Sequence, residues 1–108
     1  MADSINASEI STIIMACEAG MGSSLMVVNT IKKKLRKAGI KDRKVIHKPA
    51  RAVPADAKLV VVHERLAKVA RNAAPDAVIV TFKMFMNDPQ FDKLVDAIAN
   101  DSDIQNMI

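Results

Sequence analysis

The chain has few of the aromatic residues on which nucleic-acid recognition depends. Among its 108 residues there is no tryptophan or tyrosine, and there are three phenylalanines. Proteins that bind single strands commonly stack bases on aromatic rings, and three phenylalanines provide little of such a platform. The net charge of +4 does not alter this interpretation, because a positive field also attracts acidic proteins and anionic lipids. We therefore expect no nucleic-acid partner.

Long apolar runs are also missing. No stretch approaches the roughly 20 apolar residues that cross a bilayer, and the first residues, from Met1 to Ser4, lack the basic and then apolar pattern of a signal peptide. Half of the residues are hydrophobic and 26% are charged, which is typical of a globular protein. The sequence therefore predicts one cytoplasmic domain that does not itself span the membrane.

Cysteine occurs once, at Cys17. A single cysteine cannot form an internal disulfide or a multi-cysteine metal site. Neither His47 nor His63 has the sequence neighbours of a metal site, so no metal or cofactor is expected. Cys17 is then either a small buried apolar side chain or a reactive thiol, and its neighbours must decide between the two.

The rest of the chain alternates apolar strands with amphipathic helices. Residues 1–10 are polar and predict a flexible lead-in, followed by one domain over residues 11–108. Strands are predicted over residues 13–16, 44–47, 59–63 and 77–80. Helical spacing of apolar residues follows the first, third and fourth of them. The first of these helices carries Leu25 and Val28 on its apolar stripe and is predicted to end just before Gly39. Because such strands form parallel sheets covered on both faces, we predict an α/β fold with a four-stranded parallel sheet flanked by helices on both faces.

A glycine-rich loop joins Cys17 to the first helix. Ligands of open parallel sheets bind beyond the carboxyl ends of the strands. Gly20 and Gly22 let backbone N–H groups converge, and the helix start adds free N–H groups and a positive dipole end. This setting suits an anion and stabilises the thiolate over the thiol. Ser23 and Ser24 either cap the helix or donate their hydroxyls to phosphoryl oxygens. The loop therefore favours Cys17 as a nucleophile that carries a phosphoryl group.

Two other functions use a similar loop. A cysteine phosphatase has an arginine six positions after its cysteine, where this chain has Ser23, and the next arginine is Arg36. Asp88, the candidate general acid, is also predicted to cap the last helix together with Pro89. We therefore expect poor hydrolysis. A regulatory or redox-sensing module stays open as well, although no second cysteine is present to resolve a sulfenic acid.

The segment Ala16-Cys-Glu-Ala-Gly-Met-Gly-Ser-Ser24 closely resembles the phosphocysteine loop of IIB components of the bacterial phosphoenolpyruvate-dependent sugar phosphotransferase system. The mannitol-type group is the most similar, and the likeness covers most of residues 12–99. The resemblance implies a phosphotransferase with a Rossmann-like or flavodoxin-like sheet of order 2-1-3-4, in which Cys17 is the phosphorylated residue. The implied phosphate cradle consists of the backbone amides of Glu18, Ala19, Gly20, Met21, Gly22, Ser23 and Ser24.

The resemblance also implies two protein partners. A IIA component donates the phosphoryl group from a phosphohistidine. A IIC membrane component brings in the accepting sugar or sugar alcohol, of the mannitol kind, and holds the chain at the inner face of the cell membrane. The loop from Phe82 to Met86 and the lysine-rich first helix depart from the mannitol pattern.

Several further residues have both a structural and a functional interpretation. His63, which ends the third predicted strand, either assists the phosphoryl group or is a structural donor. The basic run of the first helix either faces solvent or steers an acidic IIA partner; it consists of Lys32, Lys33, Lys34, Arg36 and Lys37. Adaptable apolar side chains near the active edge suit docking of two unlike proteins, and these are Met21, Met84, Phe85 and Met86.

Overall fold

The elements of the computed structural model follow the predicted alternation and add one short strand at each end. In chain order they are β1 Ser4–Asn6, β2 Thr12–Cys17, α1 Gly22–Lys37, β3 Lys44–Pro49, β4 Leu59–His63, α2 Ala67–Ala73, β5 Val78–Phe82, α3 Pro89–Ala99 and β6 Asp103–Gln105. The structure describes residues 3–17, 22–84 and 88–108, and the side chains of residues 22–24 lie outside this description. None of the helices in these ranges has the length and apolar character that a membrane crossing needs.

Four strands form one parallel sheet in the order β3-β2-β4-β5. Counting only these four along the chain, the order is 2-1-3-4, so the predicted α/β fold class is confirmed. The two central strands are apolar throughout: Ile13 to Ala16 of β2 and Leu59 to Val62 of β4 are all buried. A strand that is covered on both faces has no polar side to show to water, and this explains the continuous apolar runs.

Helices cover both faces of the sheet, as predicted. On one face α1 and α3 pack over alternate strand residues, with Ile31, Phe91 and Leu94 at the centre of this larger core. On the other face α2 packs with small residues, among them Ala67 and Ala70. An ion pair of 2.6 Å between Lys34 and Asp92 also links α1 to α3.

The end of α1 is set by Gly39, as the sequence predicted. Gly39 has a φ of +81°, a conformation that costs an L-residue roughly 1–2 kcal/mol and glycine almost nothing. The Ile40 N–H donates to the Leu35 carbonyl at 2.9 Å, which is the long hydrogen bond of a Schellman motif. The turn therefore brings Ile40 back against the last part of the helix and directs the chain into β3.

Residues 4–9 form regular structure, whereas a flexible lead-in was expected over residues 1–10. Ser4–Asn6 pairs antiparallel with Asp103–Gln105 at the other end of the chain, and a 3₁₀ turn follows at Ala7–Glu9. Ala7 and Ile10 are buried in the larger core. The reason is that these few apolar side chains find a partner about 100 residues away in sequence, which no local pattern indicates.

The residues after β6 run along the outer edge of β5. The Met107 N–H donates to the Ile79 carbonyl at 2.9 Å, and Oδ1 of Asn106 accepts from the Ile79 N–H at 3.1 Å. Arg71 donates to the same Oδ1 at 2.9 Å and also to carbonyls that follow α2, including that of Ala77 at 2.8 Å. This edge of the sheet is thus closed by the chain itself.

Candidate active site

The carboxyl ends of the four parallel strands form one row of residues. Cys17 is in register with Pro49 on β3, and His63 is in register with Phe82 on β5. Between the central strands, Ala16 is in register with Val62, so Cys17 and His63 are the next residues along their strands. The sheet therefore brings Cys17, His63 and Phe82 to the edge at which open parallel sheets bind ligands, as the sequence predicted for Cys17 and His63.

Cys17 ends β2 with only 8% of its surface exposed. Side chains alternate along a strand, so its side chain lies on the same face as Met15, the face that α1 and α3 cover. The thiol donates to the backbone carbonyl of Lys48 on the neighbouring strand, with Sγ and O 3.4 Å apart. The sulfur is therefore held at the boundary between β2 and β3 rather than extended into solvent.

The helix that follows Cys17 begins only a few residues after it. α1 starts at Gly22, so four residues separate the cysteine from the first helical residue. The first N–H groups of a helix have no intrahelical acceptor, and its dipole is positive at this end. The predicted cradle residues Glu18, Ala19, Gly20 and Met21 lie outside the described residues, as do the side chains of Ser23 and Ser24. The roles of these residues and of Gly22 stay predictions.

The ring of His63 contacts the backbone of its own edge. Nδ1 accepts from the Arg65 N–H at 3.2 Å, and Nε2 lies 3.1 Å from the Lys83 carbonyl oxygen. Because a carbonyl oxygen can only accept, Nε2 is the nitrogen that carries the hydrogen and donates. The ring also meets Phe82 edge-on, with centroids 5.5 Å apart. These contacts give His63 a structural task, which is to join the turn after β4 to the turn after β5. Its auxiliary role toward the phosphoryl group stays a prediction.

Asp88, at the start of α3, binds backbone N–H groups at the same edge of the sheet. It caps the helix by accepting from the Gln90 N–H at 2.9 Å, as predicted. Its other oxygen accepts from the N–H groups of Lys83 and Met84 at 2.8 and 3.0 Å, which the sequence did not indicate. Burial raises the pKa of Asp88, but the three N–H donors and the charge of Lys83 outweigh it, so the pKa lies below the usual 3.8. The carboxylate is therefore ionised at neutral pH and serves as an acceptor.

Large apolar side chains are exposed around this edge. Leu25 and Met26 in the first turns of α1 are 50% and 41% exposed, and Met84 after β5 is 52% exposed. The sequence pattern places Leu25 and Val28 on the apolar stripe of α1; the structure buries Val28, together with Val27, but leaves Leu25 exposed. Met84 was predicted to lie near the active edge, and this is confirmed. Met21, Phe85 and Met86 lie outside the described residues.

The described residues form no candidate metal centre, since no three His, Cys, Asp or Glu side chains in them are grouped closely enough to hold an ion. The site is instead one sulfur beside a helix start, bordered by apolar side chains. Such an arrangement can present a nucleophile to a phosphoryl group and accommodate the resulting anion.

Comparison with known proteins places this chain in a family. Residues 12–97 match the family model described as "PTS system, Lactose/Cellobiose specific IIB subunit". Over 106 residues, 98% of the chain, it is 35% identical to the PTS system mannitol-specific EIICBA component of Buchnera aphidicola, of which it covers 16%. Over 94 residues, 87% of the chain, it is 35% identical to the mannitol-specific EIICB component of Staphylococcus saprophyticus, of which it covers 18%. The chain thus spans less than a fifth of the length of these relatives, and the predicted resemblance to the mannitol-type group is confirmed.

Proposed function

The chain belongs to the IIB subunit family of the PTS system, and from this premise we propose that it is a phosphocarrier whose carrying atom is Sγ of Cys17. The observation that supports this most directly is the position of Cys17 as the last residue of β2, one loop before the start of α1. A sulfur at that point lies both at the ligand-binding edge of the sheet and near the positive end of a helix.

The proposed reaction has two transfers. In the first, Sγ attacks the phosphorus of a phosphohistidine on a IIA component; the P–N bond breaks, the S–P bond forms, and the thiol proton passes to the histidine nitrogen that leaves phosphorus. The Lys48 carbonyl, which accepts from the thiol, then has no donor on sulfur. In the second, a sugar hydroxyl attacks the phosphorus, the O–P bond forms, the S–P bond breaks, and the hydroxyl proton passes to sulfur, which is a thiol again. The backbone amides of residues 18–24 serve as the phosphate cradle in both.

A carrier must also protect its phosphocysteine from water, and two features support this. Asp88, the candidate general acid for hydrolysis, accepts three backbone N–H bonds and has a lowered pKa, so it has no proton to give near neutral pH. Arg36, the first arginine after Cys17, lies 14 residues beyond the start of α1, about 21 Å along the helix. Neither residue is placed to promote attack by water as a phosphatase requires.

The exposed apolar side chains near the edge fit the two partners of such a carrier. Leu25, Met26 and Met84 offer flexible contacts that can repack against unlike surfaces. We propose that this area receives the IIA donor and then a IIC membrane component, which keeps the chain at the inner face of the cell membrane. For the acceptor we propose mannitol or a similar sugar alcohol, because the relatives that match most of this chain are named mannitol-specific, whereas the family description names lactose and cellobiose.

Intact-mass measurement tests the carrier role. The protein is incubated with phosphoenolpyruvate, the general phosphotransferase proteins and a mannitol-type IIA component, and Cys17→Ser is treated in parallel. We expect one added phosphoryl group on the original chain and none on the variant, because serine oxygen is a far weaker nucleophile at neutral pH. An adduct of equal size on Cys17→Ser would show that another residue carries the group.

A phosphatase assay separates the proposal from hydrolysis. With an aryl phosphate as substrate we expect no turnover above the Cys17→Ser background. Rapid turnover that this variant abolishes would mean that the loop activates water, and the chain would then be a cysteine phosphatase rather than a carrier.

A further inference from the structure

A groove lined by cations lies at the end of the molecule away from Cys17. It runs between the second half of α1 and the start of β3 and encloses about 500 Å³. Five of its lining residues are basic, and none is acidic: Lys32, Arg36, Lys41, Arg43 and Lys44. The basic run on α1 is therefore not one uniform face, since Lys34 is bound to Asp92 on α3 whereas Lys32 and Arg36 face the groove.

Within the part of the chain that the structure describes, most of this positive charge forms no ion pair. Arg43 contacts Asp42 at 2.7 Å and donates to the Ala7 carbonyl at 3.1 Å, so its charge is already engaged. Among the described residues, Lys32, Arg36, Lys41 and Lys44 form no ion pair with an acidic side chain. Four like charges at one groove repel one another, and an anionic occupant relieves that repulsion.

The floor of the groove is apolar. Leu35, Ile40 and Val45 contribute it, on the face of β3 that α1 covers. Beside this floor, β3 is an outer strand of the sheet, and no other described strand pairs with its outer side. An extended peptide can hydrogen-bond to such an edge while its side chains enter the neighbouring groove.

From these features we propose that the groove binds an acidic segment of a partner protein in which carboxylates alternate with aliphatic side chains. The carboxylates meet the lysine and arginine side chains, and the aliphatic residues cover the floor. A membrane surface fits less well, because a flat layer of headgroups does not reach into a concave apolar floor.

The position of the groove leaves Cys17 uncovered. Val45, in the floor, is in register with Ile13, and Cys17 lies four residues further along β2, about 13 Å away. A segment bound in the groove therefore acts as a tether: it raises the local concentration of its protein without occupying the reactive edge. This consequence rests on the carrier function proposed above, whereas the binding itself does not.

The test uses unphosphorylated protein, so its failure leaves the phosphocysteine proposal untouched. The probe is a fluorescently labelled synthetic nonapeptide in which aspartate and glutamate alternate with isoleucine and valine. Titrations are made with the original chain, with the double variant Lys32→Glu and Arg36→Glu, and with the control Lys33→Glu and Lys37→Glu. The control has the same four-residue spacing on α1 and the same change in charge, but its residues do not line the groove.

We expect the Lys32 and Arg36 variant to bind the peptide at least about tenfold more weakly and the control to change less than about threefold, since only the first pair meets the carboxylates directly. Replacing the aliphatic residues of the peptide by serine, or Ile40 by serine in the protein, is expected to weaken binding as well. Amide NMR signals of Val45 and Ile46 are expected to shift on titration while that of Cys17 stays in place.

Equal losses in both charge variants would overturn the proposal, because the attraction would then be a property of the whole basic surface. No peptide binding to the original chain would overturn it too. A third contrary result is binding to phosphatidylglycerol vesicles that only the Lys32 and Arg36 variant loses, with the peptide inactive, since the groove would then face a membrane.

Discussion

The two outer strands of the sheet differ in how their outer edges are covered. Along β5, Asn106 and Met107 take the place of a further strand and satisfy both backbone groups of Ile79. At the end of β5, Asp88 binds the backbone of the next two residues. Along β3 the described residues supply no such cover, and the strand carries Lys44, His47, Lys48 and Pro49, of which the first two are exposed. The protein itself covers the β5 edge, whereas charged side chains and a proline protect the β3 edge from pairing with other strands.

Because of this difference, the β5 edge contributes mainly to stability, and the β3 edge is the one available for recognition. Hydrogen bonds to buried backbone groups are costly to lose, because an unpaired group stays buried. An edge protected by lysines contributes little to stability, but it repels chance pairing with other strands and is available to an acidic partner. Substitutions on the β5 side are therefore expected to affect the free energy of unfolding, and those on the β3 side to affect association.

The largest effect is expected for Asn106→Ala. This change removes the acceptor of the fully buried Ile79 N–H and one acceptor of Arg71. We expect the free energy of unfolding to fall by roughly 2 kcal/mol, measured by urea denaturation. Asn106→Asp keeps an oxygen at the acceptor position, and it is the matched control, with an expected change of about 0.5 kcal/mol. Equal destabilisation by both would show that the shape of the amide, and not its acceptor, closes this edge.

A smaller effect, which depends on pH, is expected for Asp88→Asn. At neutral pH an amide leaves at least one of three N–H groups facing an NH₂ donor, and we expect a loss of about 1–2 kcal/mol. Because the folded pKa of Asp88 lies below the usual 3.8, its contribution is present above 3.8 and is lost as pH falls through the lower folded value. Urea denaturation over this acidic range should show the difference between the two proteins shrinking. A constant difference at all pH values would contradict the assignment.

The smallest effect on stability is expected on the open edge. Replacing Lys44 and Lys48 together by valine removes two charges from β3 but no backbone hydrogen bond, and we expect the free energy of unfolding to change by less than about 0.5 kcal/mol. Self-association, followed by sedimentation velocity, is expected to increase because the edge loses its protection. If the variant stays as monodisperse as the original chain, charge is not what guards this strand.

The same contrast describes how much of the fold the sequence predicts. The four parallel strands, α3 with its cap at Asp88, and the end of α1 at Gly39 follow from local patterns and are confirmed. The strands β1 and β6 were missed, because each is three residues long and buries little more than Ile5 or Ile104. Their pairing spans nearly the whole chain, so only the tertiary structure reveals it.

The sequence predicts the position of the candidate site better than it predicts the contacts within it. A buried strand that ends in cysteine before a glycine loop places Cys17 at the carboxyl edge, and the structure confirms that place. The sequence allowed His63 to be a structural donor but did not indicate its partner, the Lys83 carbonyl. It also did not indicate the bond of Cys17 to the Lys48 carbonyl. Both carbonyls come from another part of the chain, and residue spacing within one segment does not reveal them. The contacts of the second oxygen of Asp88 are local, five and four residues along the chain, but the sequence pattern indicated only its cap.

The pairing of β1 with β6 also has a consequence for the architecture of longer chains. Ser4 is in register with Gln105, so their Cα atoms are about 5 Å apart. The first and last strands of the folded unit are therefore neighbours, and Asn106 and Met107 continue past them along β5. Topologically the domain is close to a closed ring. Such a unit can be joined to polypeptide on either side, or circularly permuted through a short linker, without moving the strands that hold Cys17.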